Sequence, residues 1–264
     1  MIIHVKDPVL EVHDLTVSYD KNPVLWEIDF TLPKGKMIGI IGPNGAGKST
    51  IIKSIMGLVE KDHGWVKLFG SDLKHTRNRI SYVPQRESVD WDFPTSVFEV
   101  VLMGRYAIKG LFKRISSEDR DVAMDCLRKV GMQDYMDRQI SQLSGGQQQR
   151  VFLARSLAQE ADLYLMDEPF AGVDAATEKS IIDLLTTMRQ EGKTIIVVHH
   201  DLQSAIEYFD WIMLLNTRLV ASGPTTEVFT PELLQETYGG KLTVLSQIAD
   251  LLKEKEMTFK DHEE

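Results

Sequence analysis

Residues 42–50 read Gly42-Pro43-Asn44-Gly45-Ala46-Gly47-Lys48-Ser49-Thr50, between an apolar run from Met37 to Ile41 and the apolar set Ile51, Ile52 and Ile55. The order Gly, four residues, Gly-Lys-Ser puts glycine where the backbone must turn through conformations closed to other residues, so that successive N–H groups point inward at an anion. Gly42, Gly45 and Gly47 fill those positions. Lys48 is spaced to reach the outer phosphates as a point charge, and the Ser49 hydroxyl to enter the shell of a Mg²⁺ ion. A helix starting at Lys48 adds the positive end of its dipole to the same spot. Glycine-rich turns also join strands to helices where no ligand binds. Here the strand before and the helix after are both legible, and the stretch reads as a nucleotide-phosphate cradle.

The rest of the composition narrows the class. At 264 residues the chain can bury a full α/β core, with room for an inserted lobe. A formal net charge of -9 argues against a non-specific nucleic-acid binder, which needs an accessible basic face. The single Cys126, among Ala123, Leu127 and Val130 at helical spacing, excludes disulfides within the chain and reads as a core residue in a reducing compartment. Met1 to Asp7 lack the plan of a signal peptide, and no apolar run approaches the ~20 residues of a membrane helix, so any membrane role is expected to come through a partner.

Leu15, Val17 and Tyr19 alternate with polar residues, as do Trp26, Ile28, Phe30 and Leu32, predicting two antiparallel strands around a turn at Asp20 to Pro23. Tyr19 is either another inward strand residue or a platform for an adenine ring; ahead of a phosphate cradle, stacking is the better reading. A short strand from Trp65 to Phe69 is expected between Gly64 and Gly70. Another, Ile80 to Val83, ends at Pro84 and Gln85, whose amide is the first polar side chain past the strand, where such sheets carry ligand groups.

From Glu87 to about Gln159 helical patterns take over. The loop Asp90-Trp91-Asp92-Phe93-Pro94 carries two exposed-looking aromatics beside charges and resembles a docking surface, with core packing of Trp91 and Phe93 as the alternative. Arg105, Lys109, Lys113 and Arg114 surround Leu111 and Phe112 in what reads as a solvated basic turn, with membrane proximity as the alternative. A helix is expected from Ser116 or Ser117 to Gly131. Leu143-Ser144-Gly145-Gly146-Gln147 opens the next one: Ser144 and Gln147 make a capping box, and two glycines leave bare N–H groups at the dipole's positive end as a second anion site.

Leu163 to Met166 then form a buried strand that presents Asp167 and Glu168 at its carboxyl end, before Pro169. Asp167 suits a Mg²⁺ shell, and Glu168 suits accepting a proton from, or orienting, an attacking water. Thr194 to Val198 form a β-branched strand that ends at His199-His200-Asp201. Adjacent side chains there diverge, so one histidine contacting a phosphate is a better reading than a metal-chelating pair. Thr230-Pro231-Glu232 reads as a helix cap and first turn. Leu242, Leu245, Ile248, Ala249 and Leu252 give one apolar face to a last helix, before a charged tail from Lys253 to Glu264.

The cradle, Gln85, LSGGQ, an apolar strand ending Asp-Glu-Pro and a strand ending in histidine, in this order from about Leu10 to Phe229, resemble the ATP-binding cassette (ABC) ATPases. The resemblance implies an α/β P-loop NTPase (RecA-like) core with an antiparallel β subdomain and an inserted α-helical subdomain. Residues 1–84 and 160–230 would form the ATP-binding core, 85–159 the helical subdomain with the signature motif, and 231–264 a C-terminal helical extension. It makes Tyr19 the adenine-stacking aromatic and Gly42 to Thr50, including Pro43, Asn44 and Ala46, the Walker A region. Gln85 becomes the Q-loop residue; Ser144, Gly145, Gly146 and Gln147 the signature contacts; Asp167 the Walker B aspartate. Glu168 becomes the catalytic glutamate, Asp174 the D-loop aspartate and His200, directly before Asp201, the switch histidine. The D-loop reads Ala171-Gly172-Val173-Asp174 where many members have Ser-Ala-Leu-Asp.

Within the family, Val89 to Arg105, Phe170 to Asp174 and the His-His-Asp segment look like the ATPase subunits of manganese and zinc importers. The resemblance therefore implies an ATP hydrolase that drives uptake of a divalent metal, manganese ahead of zinc or iron, with ATP and with Mg²⁺ held by Ser49, Gln85 and Asp167. Its partners would be a second copy in a head-to-tail ATP sandwich, an integral membrane permease touching Gln85 to Phe93, and indirectly an extracytoplasmic metal-binding protein. No nucleic-acid partner is expected. The place would be peripheral, on the cytoplasmic face of the cell membrane. The alternative is a soluble cassette ATPase of the metal-cluster assembly type, or a nucleotide-gated switch.

Overall fold

The computed structural model describes residues 1–109 and 114–239. In chain order the elements are β1 (Leu10–Tyr19), β2 (Asn22–Leu32), β3 (Met37–Ile41), α1 (Lys48–Ile55), β4 (His63–Leu68), α2 (Leu73–Thr76), β5 (Ile80–Val83), α3 (Val97–Lys109), α4 (Ser117–Lys129), α5 (Gly145–Ala158), β6 (Leu163–Asp167), α6 (Ala175–Gln190), β7 (Thr194–His199), α7 (Leu202–Tyr208), β8 (Trp211–Asn216), β9 (Arg218–Pro224), α8 (Thr225–Val228) and α9 (Pro231–Tyr238). They fall into two compact units. One comprises residues 1–33, 38–70 and the described part of 198–264; the other comprises 34–37 and 71–197.

The first unit holds an antiparallel sheet in the order β2-β1-β4, and a run β3-β8-β9 in which β3 and β8 are parallel and β9 turns back. All five residues of β3 are buried, which is why that segment reads as a continuous apolar run rather than an alternating one. In β2 the expected alternation breaks. Leu25 and Ile28 are buried while Trp26 is exposed, because Glu27 takes a left-handed φ of 48° and the β1–β2 register shifts between Leu15 and Val17. One extra residue in the strand turns the preceding side chains to the other face. Gly64 lies inside β4 rather than before it. There a Cβ would stand 2.3 Å from the Asp14 carbonyl oxygen, so only glycine lets the two strands close.

The second unit carries the strands β5-β6-β7, with β5 and β6 parallel, and the three mutually packed helices α3, α4 and α5. Helix α4 begins as expected, with Ser116 and Asp119 forming a capping box. Of the basic run, Arg105 and Lys109 are not solvated charges, whereas Arg114 is exposed. Arg105 is buried, its Nε 3.1 Å from Asp119 and its Nη1 2.9 Å from the Ala158 carbonyl and 2.5 Å from Glu160, while Lys109 lies 3.0 Å from Asp119. These cations neutralise a carboxylate committed to capping α4, so a sequence-local charge run becomes a tertiary ion cluster. Leu111, Phe112 and Lys113 of that run lie outside the described residues, as do the apolar face from Leu242 to Leu252 and the charged tail.

Candidate functional site

In the first unit the phosphate cradle is clasped by its neighbours. Gly42 sits so close to the end of β8 that a Cβ would stand 1.9 Å from the Leu215 carbonyl oxygen. Ala46 accepts at its carbonyl from the Thr217 N–H at 3.0 Å, and Gly47, with φ 93°, leaves 2.6 Å between a would-be Cβ and Leu25. The loop is therefore fixed by backbone before any ligand enters, the preorganisation that anion binding by N–H groups requires. Lys48 is buried and its Nζ donates to the carbonyls of Gly42 at 2.8 Å and Pro43 at 3.0 Å, holding a cation against the loop. Helix α1 starts at Lys48, as the spacing predicts, with its N-terminus at the cradle. A buried ammonium, a helix start and three glycines fit a triphosphate.

Tyr19 ends β1 with 45% of its surface exposed, so it is no inward strand residue and its ring face is open to stacking. The two histidines diverge, with ring centroids 5.8 Å apart. His199 is buried against Phe209, its Nε2 is 2.8 Å from Ser204 Oγ, and burial, with His200 adding to it, pushes its pKa down to about 4. His200 is exposed. Of the two, only His200 presents its ring to an external ligand. Among the described residues no group of three or more His, Cys, Asp or Glu side chains converges to hold a metal ion.

In the second unit β6 delivers its acids as expected. Asp167 is fully buried at the strand end, and its charge adds to burial in pushing the Tyr82 hydroxyl up to about 12. Glu168 follows with φ 52°, a left-handed conformation that non-glycine residues adopt at a cost and that tends to occur at functional sites. Gln85 is brought to it: its Nε2 donates to Glu168 Oε2 at 3.3 Å. The capping box of the Ser144 turn is present in both directions, Gln147 N–H to Ser144 Oγ at 3.4 Å and Ser144 N–H to Gln147 Oε1 at 2.9 Å. Asp174 caps α6, accepting from Thr177 N–H at 2.9 Å, and that bond holds its pKa below the usual carboxylate range.

Sequence reading passed over two residues here, Arg86 and Gln148, which pair at 3.0 and 3.2 Å across 62 positions. No local spacing could have announced them. It also took Trp91 for an exposed anchor. The indole is half-buried, donating to the Arg86 carbonyl at 2.8 Å and lying 4.7 Å from the Phe152 ring, while Phe93 is 58% exposed. Cys126 is buried, and burial pushes its thiol up to about 11, the opposite of the lowered pKa that a reactive thiolate needs.

A family model described as ABC transporter matches residues 25–171. The chain belongs to that family. It is 62% identical to the manganese transport system ATP-binding protein MntB of Bacillus subtilis over 89% of this chain and 94% of the relative. It is 54% identical to the zinc transport system ATP-binding protein TroB of Treponema pallidum, over 89% and 88%. Among solved structures, cbiO1 from Clostridium perfringens, described as part of the ABC transporter complex cbiONQ, superposes with a TM-score of 0.72 at 26% identity, covering 93% of this chain and 100% of that one. An ABC transporter ATPase of the α/β P-loop NTPase class is therefore what this chain is, and it hydrolyses ATP. None of its described helices is long and apolar enough to cross a membrane. Membership of the family implies a membrane permease as partner and pairing of two ATPase subunits.

Proposed function

We propose that this ATPase, held peripherally on the cytoplasmic face of the membrane, powers import of a divalent metal ion, manganese ahead of zinc, through a separate integral membrane permease. The observation that carries the reading is the 62% identity, over nearly the whole chain, to a manganese transport ATP-binding protein. In the chemistry, Lys48 and the cradle N–H groups bind the outer phosphates and Tyr19 stacks on adenine. Glu168 orients the water that attacks the γ-phosphorus and accepts its proton as the bond to the bridging oxygen breaks, giving inorganic phosphate and ADP. His200 contacts the γ-phosphate, and Ser144, Gly145, Gly146, Gln147 and Asp174 act on the nucleotide of a second copy arranged head to tail. The Ser49 hydroxyl, the Gln85 amide oxygen and the Asp167 carboxylate are the hard oxygen donors Mg²⁺ takes, and that ion would neutralise charge on the phosphates. The loop from Gln85 to Phe93 meets the permease, with exposed Phe93 as its anchor. An extracytoplasmic binding protein would deliver the metal.

The test is ATPase assay of the permease complex in proteoliposomes, with radioactive manganese or zinc supplied outside on a metal-binding protein. Metal-dependent uptake that stops in Glu168→Gln, while that variant still binds ATP, supports the reading. ATP turnover with no uptake of either ion would remove the metal assignment.

A further inference from the structure

Helix α5 presents one face, Gln148, Phe152 and Arg155 at positions i, i+4 and i+7, to the loop that follows Gln85. That loop grips the face at two points. Arg86 donates from Nε and Nη2 to Gln148 Oε1, at 3.2 and 3.0 Å, and Gln148, itself buried, completes its bonding by donating to the Ile140 carbonyl at 3.2 Å. Trp91 packs against Phe152 with the two rings tilted by 58°, the Phe152 ring also carries the Arg155 guanidinium at 5.5 Å, and the Trp91 indole N–H returns to the Arg86 carbonyl. The guanidinium of Arg86 also lies directly over the first helical residue: a Cβ on Gly145 would stand 3.1 Å from its Nε and 3.2 Å from its Cζ. On Gly146 a Cβ would meet nothing closer than Val173, at 3.6 Å. Any side chain larger than glycine at position 145 would press on the Arg86 guanidinium, a contact within the chain that Gly146 does not make.

We propose that Arg86 is a positioning residue that sets the orientation of the Ser144–Gln147 turn, by clasping Gln148 and packing on Gly145 from the residue next to Gln85. Gln85 and Arg86 leave β5 on adjacent positions, one bonded to Glu168 and the other to α5. A displacement of that strand end therefore reaches the catalytic carboxylate and the signature turn together. A guanidinium is needed, because two parallel N–H groups on one acceptor fix direction as well as distance, which a lysine ammonium does not. The inference rests on the proposed role of the Ser144–Gln147 turn in hydrolysis.

The experiment compares Arg86→Ala, Arg86→Lys and Gln148→Glu in the full chain. It reads kcat and KM for ATP, equilibrium ATP binding, and amide hydrogen exchange at 145–149 against that of α3 and α4. Loss of a charge-assisted bond predicts about tenfold to a hundredfold lower kcat and faster exchange at 145–149 in Arg86→Ala, with ATP binding within about twofold of wild type. Arg86→Lys fails similarly, whereas Gln148→Glu keeps the contact to Arg86 as an ion pair but loses the bond donated to the Ile140 carbonyl, so its kcat falls less than that of Arg86→Ala. The proposal is overturned if Arg86→Ala leaves kcat and the exchange of 145–149 unchanged, or speeds exchange equally throughout α3, α4 and α5. If exchange rises at 145–149 alone but kcat holds, the clasp exists and the role of the turn in hydrolysis is what fails.

Discussion

Replacing Gly42 with alanine adds one methyl group at the tightest point of the cradle. Its Cβ would stand 1.9 Å from the Leu215 carbonyl oxygen, against the 3.4 Å at which ordinary contact begins, a shortfall of about 1.5 Å. Neither side yields cheaply. Leu215 belongs to β8, which is hydrogen-bonded in parallel register to β3 through Ile41 and Leu214, and the loop is tied to the same edge by the Thr217 N–H on Ala46. Relief must come from the loop, whose phosphate-facing N–H groups are then displaced by more than 1 Å. A displacement of about 1 Å in a preorganised site costs on the order of 100-fold, so ATP affinity should fall at least that far, with overpacking lowering stability by about 1–3 kcal/mol. Gly45→Ala is the internal comparison. Nothing lies within 4 Å of a Cβ there, and the burden is the left-handed φ of 82°, about 1–2 kcal/mol of strain, or roughly tenfold. Equilibrium binding of a fluorescent ATP analogue, with thermal melts of both variants, decides the matter. Binding by Gly42→Ala within about threefold of wild type, or a smaller loss than in Gly45→Ala, would refute the steric argument.

Gly104→Ala pits helix propensity against packing: alanine favours the helix by about 1 kcal/mol, but its Cβ would lie 2.3 Å from the Arg155 carbonyl oxygen, forcing α3 off α5. Overpacking of about 1–3 kcal/mol should win, and a urea titration showing equal or higher stability would reverse that ranking. His199 gives acid sensitivity. Its pKa is near 6.5 unfolded and about 4 folded, so the unfolded chain binds the extra proton between those values, and stability is lost as pH falls from about 6.5 to 4. The loss approaches about 3 kcal/mol for this buried ring. His199→Phe should flatten that part of the pH–stability curve, and an unchanged slope in the variant would remove His199 as its source.

The turns of the candidate site were legible because they are local. Gly42 to Thr50, Ser144 to Gln147, Asp167 with Glu168, and His199 to Asp201 each lie within one strand-to-helix or strand-to-loop turn, where residue type and spacing fix what the backbone offers. The capping boxes at Ser116 and Ser144 formed for the same reason, since a cap is satisfied three residues away. The strands β5, β6 and β7 could be read from apolar runs. What the sequence could not carry is anything set by partners far along the chain. Trp26 faces out because Glu27 shifts the pairing of β2 with β1, and no alternation within β2 contains that information. Arg105 and Lys109 look like surface charges until Asp119 of α4 and Glu160, in the turn after α5, surround them. Trp91 looks like a free anchor until Phe152 is beneath it, and Arg86 is one more basic residue until Gln148 arrives from 62 positions away. The sequence by itself determined where the glycine-rich turn, the capped Ser144 turn, the strand-end acids and the exposed histidine fall, because those features are set within a few residues. Only the tertiary structure decided which face each side chain shows and what binds the turns to their neighbours, because burial and long-range hydrogen bonds are properties of the packed chain.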